Sequence, residues 1–171
     1  VTYISGNANQ SVREIIASIP RASRNSTVLS FCFVDPFKAS DLHFNTIQEI
    51  SNIYVDFLVL LPIYMDILRN LDYYQTTNCL ISDNFVGTVE WRGAWEEYRR
   101  GNDHFDDFFI EYYRKRMESL RYLYGGETEI FRSTERNLPL YRLGFFSRHR
   151  LGEQFWNQAQ RYSDPQLNLF E

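Results

Sequence analysis

Two short runs of this chain are apolar at almost every position: Phe31-Cys32-Phe33-Val34 within residues 28–35, and Val55-Asp56-Phe57-Leu58-Val59-Leu60-Leu61. Runs of that length predict strands buried on both faces, as at the centre of an α/β sheet. Residues 1–5 predict a shorter strand that ends at Gly6-Asn7-Ala8-Asn9. Between these strands the period becomes helical. Ser11-x-x-Glu14 predicts a capping box, with Val12, Ile15, Ile16 and Ile19 on one face and Pro20 as the stop. Ser40 or Asp41 predicts the cap of a second helix, with Leu42, Ile47 and Ile50 inward. Pro62 fits the first turn of a third helix, which carries Met65, Leu68 and Leu71. Strands separated by helices in this way predict βαβ units and a parallel sheet.

Beyond residue 76 the pattern weakens, and polar turns around Trp91 and Trp95 predict short helices and loops up to residue 101. The longest helix is predicted over 103–124, with Phe105, Phe108, Phe109, Tyr112, Arg116, Leu120 and Leu123 at three- and four-residue steps. Asp103, Asp106 and Asp107 suit its first turn, Arg121 its last, and Gly125-Gly126 its end. Residues 127–133 and 138–146 alternate like strands about a polar turn and predict an antiparallel hairpin. A last helix over 151–162 offers Leu151, Phe155, Trp156 and Ala159 to the core, and Ser163-Asp164-Pro165 stops it. There is no repeat and no low-complexity tract. The expectation is one α/β domain over 1–171, with residues 164–171 as a tail.

Composition narrows the class. A chain of 171 residues with 44% apolar and 23% charged residues has the make-up of a soluble, cytoplasmic globular protein. No apolar stretch reaches the about 20 residues of a membrane span. The longest, 55–65, contains Asp56 and Pro62. Val1 opens directly in strand-like sequence with no basic leader, which predicts a natural start further upstream. Cys32 and Cys79 read as reduced thiols rather than a disulfide framework. The net charge of −4 argues against a generally basic nucleic-acid surface, while 17% aromatics suits a thick core or stacking surfaces.

The most telling segment follows the 28–35 strand, where the apolar run halts on Asp35-Pro36-Phe37. Ligands of open α/β sheets bind beyond the carboxyl ends of the strands, which is where Asp35 falls. Pro36 lacks an N–H, so the chain turns away there. Two readings stand: a catalytic lip, or an ordinary turn in which Asp35 caps and Phe37 packs into the core.

This arrangement resembles the second half of a Rossmann-like methyltransferase. More specifically, the chain resembles the three-Cys-motif partner protein family of bacteria and phages. The matching pieces are Ile4-Ser5-Gly6-Asn7-Ala8-Asn9, Phe33-Val34-Asp35-Pro36-Phe37, Val55-Asp56-Phe57-Leu58-Val59-Leu60-Leu61-Pro62 and Leu140-Tyr141-Arg142-Leu143-Gly144-Phe145-Phe146-Ser147-Arg148-His149-Arg150-Leu151-Gly152. The resemblance implies a methyltransferase-type, mostly parallel sheet with a C-terminal antiparallel hairpin, forming part of a larger domain. It places Gly6, Asn7 and Ala8 against the adenine of S-adenosylmethionine, as cofactor-binding residues. It makes Asp35, the Pro36 carbonyl and Phe37 a shortened amino-methylating motif, the first two holding a target amine and the ring stacking on a flipped base of a nucleic acid. A three-Cys-motif protein is the implied partner. Two departures accompany it. No Gly-x-Gly-x-Gly turn occurs, and Asn7 stands where the family places an acid. The alternative is a non-catalytic interaction subunit that keeps the fold.

Other constellations are weaker. His43, His104 and His149 lack metal-ligand spacing, so no metal site is expected. The acid pairs Asp106-Asp107 and Glu96-Glu97 read as solvated helix faces. No Gly-x-Ser-x-Gly or phosphate-binding loop occurs. Arg99-Arg100, Arg114-Lys115-Arg116 and Arg148-His149-Arg150, with Trp91 or Trp95 for stacking, read either as a phosphate-contacting surface or as scattered surface cations. In the tail, Gln166-Leu167-Asn168-Leu169-Phe170 resembles the motif by which bacterial proteins bind the replication sliding clamp. Its other reading is an apolar tail docked on the protein's own surface.

Overall fold

The computed structural model describes residues 1–21, 23–25, 27–101, 104–125 and 129–162; the clamp-like tail lies outside the described residues. Four strands form one sheet: β1 (Ser30–Val34), β2 (Val55–Leu61), β3 (Glu129–Arg132) and β4 (Pro139–Phe146). Their order is β1-β2-β4-β3. β1 and β2 pair in parallel with Cys32 opposite Phe57, while β4 runs antiparallel to both of its neighbours. β1, β2 and β3 therefore share one direction. A mostly parallel ladder does not result, because β4 lies between β2 and β3 and makes two of the three pairings antiparallel. The expected hairpin is present as β3–β4, and its turn includes Asn137 at φ 51.

Residues 1–5 form no strand. A strand needs a ladder partner, and among the described residues β1 pairs with β2 alone. Val1 and Tyr3 project into solvent instead.

Among the described residues seven α-helices accompany the sheet: α1 (Ala8–Ser18), α2 (Phe44–Ile50), α3 (Leu71–Tyr74), α4 (Leu80–Val86), α5 (Trp91–Tyr98), α6 (Phe105–Ser119) and α7 (Arg150–Tyr162). α1 starts earlier than the Ser11 box predicts, because the Asn7 Oδ1 accepts the Asn9 N–H at 2.9 Å and caps it. α2 buries Ile47 and Ile50 as expected. Behind Pro62 the single expected helix is divided into a π-turn (Ile63–Ile67), a 3-10 turn (Leu68–Asn70) and α3. α4 ends on Gly87 at φ 75, where an added Cβ would lie 2.8 Å from the Phe44 ring.

The core lies against one face of the sheet. Val55, Phe57, Val59 and Leu61 alternate onto it, and α2, α4, α5 and α6 supply Phe44, Phe85, Trp91, Phe109 and Tyr113. The rings pack edge to face and stacked, with Phe44 5.8 Å from Tyr113 and Trp91 5.8 Å from Phe109. Trp91 and Trp95 are buried here, not placed on polar turns. α6 stops at Ser119, short of the Gly125-Gly126 stop, and Arg121 takes a left-handed φ of 69. The reversal turns Tyr122 into the core, 5.3 Å from Phe57, and burial pushes its phenol up to about 12. On the other face, α7 stacks Trp156 on Phe145 at 5.4 Å. Its Leu151, Phe155 and Ala159, expected inward, are exposed.

Candidate functional site

The chain leaves the carboxyl end of β1 at Asp35, and Pro36 is buried there while Asp35 and Phe37 stay exposed. Phe37 is 76% accessible, so it does not pack into the core. Among the described residues neither the Asp35 carboxylate nor the Pro36 carbonyl has a hydrogen-bond or ion-pair partner, so Asp35 does not cap the turn. The two details expected of an ordinary turn here, a capping Asp35 and a core-packed Phe37, are thus not found among the described residues.

A cleft of about 530 Å³ lies at this end of the sheet. Its lining brings Gly6, Asn7 and Ala8 together with Asp35, Pro36 and Phe37, and Ile15, Leu42, Thr46 and Ile47 close the apolar side. All six residues singled out from sequence thus border one space. Gly6 has φ 140 and an open flank, the nearest atom to an added Cβ being the Ser11 Oγ at 3.5 Å. The Asn7 Oδ1 is engaged in capping α1, which leaves its amide N–H groups as the donors facing outward chemistry.

Two residues that sequence reasoning passed over hold this cleft in shape. Asn9 ties α1 to the far wall: its Nδ2 donates to the Asp41 carbonyl at 3.1 Å. Its Oδ1 accepts from the His43 N–H at 2.9 Å and the Thr46 Oγ1 at 2.7 Å. Asp66 anchors the loop after Phe37 by accepting the Ala39 N–H at 2.7 Å, the Tyr74 hydroxyl at 2.9 Å and the Asn70 Nδ2 at 2.9 Å. Burial, with Asp66 beside it, raises the Tyr74 phenol far above its ordinary range, so this hydroxyl is a permanent donor. Neither role has a local sequence signature, since the bonds that reach the cleft, from Asn9 to Asp41, His43 and Thr46 and from Ala39 to Asp66, span 27 or more positions.

The basic clusters do not assemble into a stacking surface. Trp91 is fully buried with its indole N–H on Asp83 at 2.7 Å, and Arg92 bonds to Asp83 beside it. Arg99 pairs with Glu96, Arg114 with Glu111 and Glu118, and Arg148 lies over the Tyr122 ring. Among the described residues no group of three or more His, Cys, Asp and Glu side chains converges, and no helix is long and apolar enough to cross a membrane.

The lip of the cleft carries one carboxylate, one backbone carbonyl without a partner among the described residues, and one exposed phenyl ring. A carboxylate and a free carbonyl can accept the two N–H bonds of an amino group while an exposed phenyl stacks on its ring. Fold and cleft together define an α/β protein with a ligand-sized cleft at the carboxyl end of a parallel strand. No family model, curated protein or solved structure matches the chain.

Proposed function

We propose that this chain is a three-Cys-motif partner-like protein of the methyltransferase-related kind, acting on the amino group of a nucleic-acid base. One observation carries the reading: Asp35 and Phe37 stand unpartnered at the lip of the cleft that Gly6, Asn7 and Ala8 also line. The strand order supports it. β1, β2 and β3 run alike, as do strands 4, 5 and 6 of a doubly wound sheet, with β4 inserted beside β2. In that order residues 1–5 would stand at the far side of the sheet with two strands between them and β1, which fits their having no ladder partner among the described residues.

The cofactor implied is S-adenosylmethionine, which supplies the methyl group when bound. The residues present fit its adenine end. The Asn7 amide N–H groups are free to donate, and Gly6 leaves room for close approach. They do not include a glycine-rich turn for its methionine end. This chain's own contribution is to position the amine: Asp35 and the Pro36 carbonyl accept hydrogen bonds from its two N–H groups and Phe37 fixes the ring plane, so that the nitrogen lone pair is oriented.

The missing turn favours a second reading, a non-catalytic interaction subunit with the same fold. Titration calorimetry with S-adenosylmethionine separates them. Heat of binding supports the enzyme, and Asp35→Ala is then expected to abolish turnover with affinity nearly unchanged. A folded protein that gives no heat removes the enzyme reading.

A further inference from the structure

A larger cavity, about 640 Å³, opens at the opposite end of the sheet, and it shares no lining residue with the cleft at the end of β1. Its size is within the range of small-molecule sites. Its floor comes from β2 and β4, and α7 forms one wall. The lining is apolar and aromatic with few exceptions, of which Asp56 is the one that fixes the ligand's chemistry.

Asp56 breaks an otherwise apolar β2 and sits opposite Phe31 in the parallel register. It is half-buried, and among the described residues no hydrogen bond or ion pair reaches its carboxylate. Two backbone donors and one guanidinium near it are engaged elsewhere. In the first turn of α7, the Leu151 N–H donates to the His149 Nδ1 at 3.1 Å and the Gly152 N–H to the His149 carbonyl at 2.9 Å. The Arg148 guanidinium is directed to the Leu120 and Ile53 carbonyls. Gly152 itself is required: an added Cβ would lie 2.3 Å from the Ser147 Oγ and 3.3 Å from the Asp56 Oδ2. The glycine lets α7 close onto Ser147 and keeps the space beside the carboxylate clear.

A carboxylate among apolar side chains, with no ion-pair partner among the described residues, offers a cation a direct partner. Around it stand the rings of Phe31, Tyr54, Phe155 and Trp156, whose faces attract cations and whose area suits an apolar body. We propose that this cavity binds a monocationic apolar amine, with its ammonium on Asp56 and its aromatic or alkyl body against Phe31, Phe155 and Trp156. The proposal is independent of the cleft at the end of β1 and of any methyl transfer.

The test is a fluorescence titration of the full chain with a dansyl-alkylamine, beside its N-acetylated neutral form and the anionic anilinonaphthalenesulfonate. The amine is expected to bind about tenfold or more tightly than the neutral form. Asp56→Asn is expected to abolish that preference while the neutral form binds as before, and circular dichroism confirms that the variant is folded. Equal binding of the amine to both proteins overturns the proposal, as does failure of the wild-type chain to bind it. Tighter binding of the anion overturns it as well.

Discussion

Phe57 and Phe33 lie on adjacent strands of one sheet, and their surroundings have little in common. Phe57 is fully buried against Tyr122, whereas Phe33 is 55% accessible on the opposite face. Both strands are apolar on both sides, so the difference does not come from the strands. It comes from where the helices lie: α2, α4, α5 and α6 put their rings over the first face, while β1's share of the second carries exposed Phe31 and Phe33. An apolar strand records that it is suited to burial on both faces, and the rest of the molecule decides which face is filled.

The largest expected effect tests that contrast directly. Phe57→Ala opens a cavity in a filled layer and is expected to cost about 3–5 kcal/mol. Phe33→Ala removes a ring that is half in water and is expected to cost less than about 1 kcal/mol. Urea unfolding midpoints measure both. Similar losses would mean that the second face is filled in solution and that the comparison fails.

Asp66 links the filled face to the cleft at the end of β1, and the expected effect there is intermediate. Its carboxylate is buried and accepts from Ala39, Asn70 and Tyr74. Asp66→Ala strands those donors and is expected to cost about 2–3 kcal/mol. It should also speed hydrogen exchange at the Ala39 amide, the anchor of the loop that follows Phe37. Stability lost with Ala39 exchange unchanged would show that Asp66 supports the core and not the cleft.

The elements that sequence discloses well are those whose pattern is local. β1, β2, the hairpin and the inward stripe of α2 follow from runs and periods of a few residues. The shared cleft of Asp35-Pro36-Phe37 and Gly6-Asn7-Ala8 is not local in this sense, because residues 1–5 form no strand and α1 is held beside β1 by the bonds of Asn9 to Asp41, His43 and Thr46. Residues 1–5 mislead because a strand's existence depends on a neighbour, which no local pattern supplies. The end of α6 misleads for a related reason. The chain leaves the helix at Leu120 and Tyr122 packs edge to face on Phe57, a partner that the helical period does not disclose. Leu151 and Phe155 have the spacing of core residues and line an open cavity instead. Asn9 and Asp66 are short polar residues in helical sequence, and only their distant partners give them roles.

The smallest expected effect concerns the outer side of α6, whose inner side seals the filled face with Phe105, Phe109 and Tyr113. There Glu111 accepts from the Arg114 Nε at 2.8 Å and Nη2 at 2.7 Å. Those bonds, outweighing partial burial, hold its carboxyl below the usual range. A carboxyl lowered on folding stabilises the native state above its unfolded value, and that contribution disappears as pH falls through the folded value. Glu111 is 43% accessible, so solvent screening keeps the contribution below about 0.5 kcal/mol. Glu111→Gln should therefore be slightly less stable than the wild type at neutral pH and equal to it in acid, with the gap narrowing in high salt. A gap that persists unchanged into acid would place the loss in packing along α6, and the outer side of that helix would then belong with the filled face.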